Sequence, residues 1–300
     1  MDHTVSTAID AERCSGCGQC LSVCPSQTLA MGNGTAVVRG SACMQCGHCQ
    51  AICPTGAITI AALEPPLAFT TFASEEEWLP AGACDTGALV RLMRSRRSCR
   101  NFLDRPIASD ILTDLARIGT TAPSGTNSQQ WTFTILASRQ AVILLGNQVA
   151  AFFKKLNRLA SCRTLRLWSK LFGNDALGRY YRGYFQTTKD SLREWETAGK
   201  DRLFHGAPAA ILVGASAGAS CPMEDALLAT QNILLAAHAM GLGSCLIGFA
   251  VEAIKREPAI KKNLDIPADE SIYAVIALGY PDECYQRVAG RRQIMPRLRS

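Results

Sequence analysis

Apolar residues recur at helical spacing over residues 88–97 and again over 110–121, with polar side chains between them. Short β-branched and aromatic runs predict strands at 131–136, 209–213 and 272–278, and long helical stretches are expected between 140 and 199. A further helix, 225–240, is apolar nearly all round, the mark of a buried element. From Ala226 to Val251 there is no Lys, Arg, Asp or Glu, a span long enough to cross a bilayer. It contains Gln231, Asn232 and His238 and is cut by Gly241, Gly243 and Gly248, so a buried helix followed by a glycine-rich turn is the better reading. The mixture predicts an α+β or α/β fold, and periodicity goes no further.

Composition divides the chain. Its 300 residues suggest two domains, the first at 1–63 and the second at 87–300, joined by a linker or covering strap at 64–86 that holds Pro65-Pro66 and the acidic triplet Glu75 to Glu77. The net charge of +6 is uneven: 150–204 carries twelve basic against five acidic side chains. Such a surface can steer an acidic electron carrier or an anionic substrate, or be a solvated helix face. No zinc-finger or RNA-module context accompanies these residues, so nucleic acid is not an expected partner, nor is a membrane.

Eight of the fourteen cysteines repeat one pattern, Cys-x-x-Cys-x-x-Cys-x-x-x-Cys-Pro, at Cys14, Cys17, Cys20, Cys24 and at Cys43, Cys46, Cys49, Cys53, offset by 29 residues. This is the run of bacterial ferredoxins, in which three thiolates bind one 4Fe-4S cubane and the fourth closes the neighbouring one. Crossed ligation assigns Cys14, Cys17, Cys20 and Cys53 to one cluster and Cys43, Cys46, Cys49 and Cys24 to the other. Structural zinc prefers two pairs to a triplet with a remote fourth. A disulfide framework would need an oxidising compartment, and a cytoplasmic location is expected instead.

Four further motifs lie beyond the linker: "RRSCRNF" at 96–102, "APSGTNSQQW" at 122–131, "GLGSCLIGF" at 241–249 and "IALGYPDE" at 276–283. In order and spacing they resemble the signatures of the nitroreductase family of FMN enzymes. The resemblance implies an α+β nitroreductase-like FMN fold, a mixed sheet flanked by helices, preceded by a small ferredoxin-like two-cluster domain. It implies FMN and two 4Fe-4S clusters as cofactors. Arg96 and Ser98, with Arg97 beside them, would hold the FMN phosphate, and Arg100 would reach the pyrimidine edge, where a cation stabilises the reduced ring. Pro123, Ser124, Gly125, Asn127 and Gln129 would meet the ribityl chain and ring edge. The family more often has Pro where this chain has Gln130. Backbone amides at Leu246, Ile247 and Gly248 would face the flavin N5 and O4. Arg287, Arg291 and Arg292 stand where relatives carry a basic pair returning to the phosphate.

Residues 150–200 correspond to a variable helical cover and carry Trp168, Tyr180, Tyr181, Tyr184, Phe185 and Trp195, aromatics that can sandwich a flat substrate or be helix core. His3, His48, His205 and His238 have no visible catalytic partner. Cys84, Cys99, Cys162, Cys221, Cys245 and Cys284 suggest no metal site. No Gly-x-Gly-x-x-Gly fingerprint is present. The implied function is reduction of an electron-poor organic acceptor (a nitroaromatic, quinone, activated alkene or haloaromatic) by a homodimer. Its electrons would come from an external ferredoxin or flavodoxin, NAD(P)H being the other donor the family admits. A non-catalytic electron relay or redox sensor, and a dehydrogenase with reversed flow, are the rivals.

Overall fold

The computed structural model describes residues 4–75 and 77–299; His3 and Glu76 lie outside them. The first part of the chain runs β1 (Thr7–Ile9), α1 (Gln19–Ser22), β2 (Leu29–Gly32), β3 (Thr35–Val38), α2 (His48–Ala51) and β4 (Ile58–Ile60). β1 pairs with β4 and β2 with β3, both antiparallel. The 29-residue repeat is visible in the backbone: α1 and α2 each follow a left-handed glycine, Gly18 (φ 70°) and Gly47 (φ 76°). Cys20, Cys49, Leu29, Ala36, Ile58 and Ile60 form a small core between the halves.

After the strap come α3 (Thr86–Ser95), α4 (Ser109–Gly119), β5 (Trp131–Leu136), α5 (Arg139–Ser161), α6 (Arg163–Phe172), α7 (Ala176–Gly183) and α8 (Phe185–Ala198). They are followed by β6 (Ala209–Ala215), α9 (Pro222–Ala239), β7 (Gly243–Leu246), α10 (Gly248–Arg256), α11 (Pro258–Asn263) and β8 (Ser271–Gly279). The sheet order is β5-β6-β8-β7 with antiparallel neighbours, and an isolated bridge from Ser98 to Ser244 adds a parallel pairing at the β7 edge. β6 is buried throughout because its alternate residues enter two cores. Ala210 and Leu212 face α5 and α10, whereas Ala209, Ile211 and Val213 face α4 and α9. A strand covered on both faces reads as a continuous apolar run. Among the described residues no helix is long and apolar enough to cross a membrane.

One expectation is corrected. The glycine-rich stretch after α9 is a turn only at Gly241 (φ 78°), and beyond it the chain enters strand β7. Gly243 is required there by close approach: a Cβ would stand 2.7 Å from the Cβ of Cys99, so only glycine lets the 96–100 segment lie against the sheet edge.

The strap at 64–85 is fastened to α4. The fully buried carboxylate of Asp114 accepts from the N–H groups of Thr70 (2.9 Å) and Thr71 (2.7 Å) and from the Thr71 hydroxyl (2.8 Å), with Arg117 at 3.2 Å. Burial opposes the charge, but these hydrogen bonds outweigh it and hold Asp114 below the ordinary carboxylate value.

Candidate functional site

The folded chain brings the eight repeat cysteines into two crossed groups. Cys14, Cys17, Cys20 and Cys53 line one small cavity together with Ala36 and Ile58. The Cys20 thiol is pushed up by burial and then by the charges of Cys14, Cys17 and Cys53. Cys49 is pushed up likewise, by burial and then by Cys24, Cys46 and Cys43. The fourth cysteine of each run behaves oppositely. Burial disfavours its thiolate, yet the amides of Thr28 (3.3 Å to Cys24) and Ala57 (3.2 Å to Cys53) outweigh it, and both thiols are held low. Ala36 donates to Cys14 (3.5 Å), Gln45 to Cys43 (3.3 Å), and the His48 Nδ1 lies 3.1 Å from Cys46. Amides aimed at sulfur are the outer shell that a thiolate-bound cluster uses. Among the described residues, no three Cys, His, Asp or Glu converge closely enough for a single metal ion.

The second group of residues gathers where α3 ends against β7. A cleft of about 370 Å³ is lined by Arg96, Arg97, His238, Ser244, Glu283 and Arg287, among others. Ser98 bridges Ser244, and the Cys99 amide donates to the Ser244 carbonyl (3.0 Å). The guanidinium of Arg96 is disfavoured by burial, then by the neighbouring charges of Arg291 and Arg97. The Ser244 hydroxyl, 1 % exposed, has no hydrogen-bond partner among the described residues. Crowded cations and an orphaned buried hydroxyl are what a bound anion satisfies. Of the tail arginines, Arg287 lines this cleft and the charge of Arg291 acts on Arg96, and Arg287, Arg291 and Arg292 are all exposed.

Arg100 sits at the other end of this segment. Its amide donates to Glu283 (3.3 Å), and its charge acts on His205 and Cys245. Next to it, Leu246 and Gly248 line a second cleft of about 710 Å³ with Tyr180, Tyr184, Phe249 and Arg179. Ile247 is buried beneath them. Of the six cover aromatics, Tyr180 and Tyr184 thus reach this cleft. Trp168 is 65 % exposed on α6, Tyr181 packs against Phe185 with the rings tilted by 35°, and Trp195 donates to Asn147 in a separate apolar cleft.

Pro123, Ser124, Gly125, Asn127 and Gln129 form a tight loop before β5. Thr126, Asn127 and Gln129 are left-handed (φ 50°, 56° and 50°), the Ser124 hydroxyl accepts from the Gln129 amide (3.0 Å), and buried Asp225 accepts from Gly125 (2.9 Å). Gln130 lies outside the loop with its side chain bonded to Ser216. This loop and the Arg96 cleft occupy diagonal corners of the sheet. The loop leads into Trp131, whose row crosses Ala215 and Ser271, whereas Ser244 pairs with Leu278 at the opposite edge and end. Three strand spacings separate the edges by about 14 Å, and seven residues of β8 add about 24 Å along the strands.

Ser244 and Glu283 stand inside the motifs at 241–249 and 276–283, but nothing local in the sequence reveals an unpaired hydroxyl or a carboxylate folded back on the Arg100 amide. Asp225 and Asp114 carried weaker signals, an acid opening an apolar helix and an acid on the apolar face of an amphipathic one.

Comparisons with known proteins fit this arrangement. Residues 93–280 match the model of the nitroreductase family, and residues 6–54 match that of a 4Fe-4S dicluster domain. The chain is 27% identical over 208 residues to nitrobenzene nitroreductase of Ectopseudomonas oleovorans, covering 64% of this chain and 86% of that protein. It is 27% identical over 198 residues to 4-nitrobenzoate reductase of Pseudomonas putida, covering 64% and 85%. The fold is also that of a nitroreductase with bound FMN from Desulfitobacterium hafniense DCB-2, with a TM-score of 0.50, 21% identity, and coverage of 70% of this chain and 97% of that one. With more than half of its length inside the family model and a cluster-type repeat ahead of it, the chain belongs to the nitroreductase family and carries a 4Fe-4S dicluster domain on the same polypeptide.

Proposed function

We propose that the protein is a cytoplasmic iron-sulfur flavoprotein oxidoreductase. It takes electrons from an external one-electron carrier such as ferredoxin or flavodoxin, through two 4Fe-4S clusters and FMN, to an electron-poor organic acceptor. The observation that carries this reading is the presence, on one chain, of two crossed four-thiol groups and a cation-lined cleft holding an unpartnered buried hydroxyl. The residues fit the groups they would hold. Arg96, Ser98, Ser244 and Arg287 would bind the FMN phosphate, and Arg100 would lie at the pyrimidine edge, where a fixed cation stabilises negative charge. The amides of Leu246 to Gly248 would face the ring, and Tyr180, Tyr184 and Phe249 would close over a flat acceptor and exclude water. FMN, when bound, supplies the conversion of single-electron deliveries into a hydride equivalent.

The diagonal separation of Asn127 from Arg96 supports a homodimer. Ser124, Asn127 and Gln129 would complete the flavin site of a second copy. Beside that loop, α9 presents Met223, Leu227 and Leu228 to solvent at 45–49 % exposure, an apolar face suited to burial against another subunit.

The purified protein is expected to contain about eight irons per chain, with one FMN, and reduced ferredoxin should bleach both chromophores. Clusters that reduce while FMN stays oxidised would overturn the reading.

A further inference from the structure

The two ferredoxin repeats are not equivalent where they turn between their first two cysteines. The corresponding positions, Gly16 (φ 69°) and Gln45 (φ 52°), both adopt left-handed backbone. At Gly16 a Cβ would stand 2.3 Å from the carbonyl oxygen of Gly34, so this turn packs against its own β2–β3 hairpin and admits only glycine. Its counterpart, half-buried, bonds to residues beyond its own turn. The Gln45 side chain is anchored to the Thr4 carbonyl (3.0 Å), its N–H donates to the Cys43 sulfur (3.3 Å), and its carbonyl accepts from the Asn127 side-chain amide (2.9 Å).

That carbonyl belongs to the peptide linking Gln45 to Cys46. Asn127 is therefore one hydrogen bond and one residue's backbone away from two cysteines of the second group. Its own left-handed backbone (φ 56°), a conformation Asn tolerates, sits in the loop tied to Asp225. No corresponding bridge leads from the first group among the described residues, and its Cys17 is exposed while Cys43 and Cys49 of the second are buried.

We propose that the cluster of Cys43, Cys46, Cys49 and Cys24 is the one that passes electrons to the flavin, with the Gln45–Asn127 hydrogen bond as the coupling contact. The cluster of Cys14, Cys17, Cys20 and Cys53 receives electrons from the external carrier at its exposed Cys17 side. The step would be a one-electron exchange, the second cluster losing one electron as the flavin gains one, and two such exchanges with proton uptake from solvent would complete the flavin's two-electron reduction. The proposal rests on the function given above and adds an order to its clusters.

The test uses the full-length protein with both clusters. Cys17→Ser and Cys46→Ser alter the EPR signal of their own cluster and so assign the two signals. In FMN-free protein, Asn127→Gly, which accepts the left-handed backbone but lacks the amide, is expected to shift the signal and midpoint potential of the Cys46 cluster alone. Asn127→Asp, near in shape but without a donor, should do the same. In protein saturated with FMN, stopped-flow reduction by ferredoxin should show flavin reduction slowed at least tenfold by either variant, with cluster reduction unchanged. A shift confined to the Cys17 cluster, no shift in either, or an unchanged flavin rate overturns the proposal. Wild-type clusters that reduce without ever reducing FMN overturn the function itself, a separate result.

Discussion

The carboxylate of Asp225, at the start of α9, accepts a hydrogen bond from the backbone amide of Gly125, one hundred residues earlier in the chain, at 2.9 Å. Its second oxygen takes the Ser128 hydroxyl at 3.3 Å. Gly125 is also pressed against Cys221, where a Cβ would meet sulfur at 2.8 Å. The loop that presents Ser124, Asn127 and Gln129 is thus shaped from beneath by α9.

Asp225→Ala should remove that support. Leaving the Gly125 amide and the Ser128 hydroxyl unpaired in a buried site costs on the order of 2–3 kcal/mol. Chemical denaturation should show the loss, and FMN affinity should fall with it. Gly125→Ala should weaken FMN binding too, because the loop must move away from Cys221.

Asp114 confers a pH dependence on the strap. Its carboxyl is held below the ordinary value, so its contribution is fully present above the unfolded-state pKa and is lost as pH falls through the lower folded-state value. Asp114→Asn should destabilise the protein by about 2–3 kcal/mol near neutrality. Urea unfolding at a series of pH values should show the gap between variant and wild type closing as the solution is acidified below about pH 4, the ordinary carboxylate range.

Ser244→Ala separates stability from binding. The hydroxyl is buried and unpaired, so removing it should leave the FMN-free protein as stable or slightly more so, while FMN affinity drops by about 1 kcal/mol, roughly fivefold. Arg96→Ala should weaken FMN more, about tenfold or beyond, and raise the apparent salt tolerance of what binding remains. Flavin fluorescence titration with thermal unfolding of the FMN-free protein reads both.

Mixed dimers test whether clusters serve their own chain's phosphate site or the partner's. Pairing an Arg96→Ala chain with a Cys46→Ala chain should retain one FMN site whose flavin is reduced through clusters. Pairing a wild-type chain with one carrying both substitutions should bind FMN at the wild-type cleft and fail to reduce it through clusters. The opposite pattern would show that each chain feeds its own cleft.

Much of the local structure and part of the site chemistry were legible in the sequence, though not the roles of Ser244, Glu283 and Asp225. The strand at 131–136, the apolar helix before the glycines and the buried strand β6 were readable because burial imprints its period directly on hydrophobicity. β7 was not, being four residues whose glycine answers to Cys99 rather than to any periodic rule. The cysteine spacing determined that each run would offer three neighbouring thiols and a displaced fourth, since so short a stretch has few ways to turn. Likewise the sequence sets Arg96, Ser98 and Arg100 within five residues, and the family resemblance gave the first two to the FMN phosphate and the third to the ring edge. What only the tertiary structure decided is where these pieces stand relative to one another. Sheet order puts β5 and β7 at opposite edges, which separates Asn127 from Arg96, and the packing of the repeat on the larger fold brings Gln45, rather than its counterpart Gly16, against Asn127. Such distances arise from long-range burial and strand pairing, which couple residues a hundred positions apart and leave no trace in the spacing between neighbours.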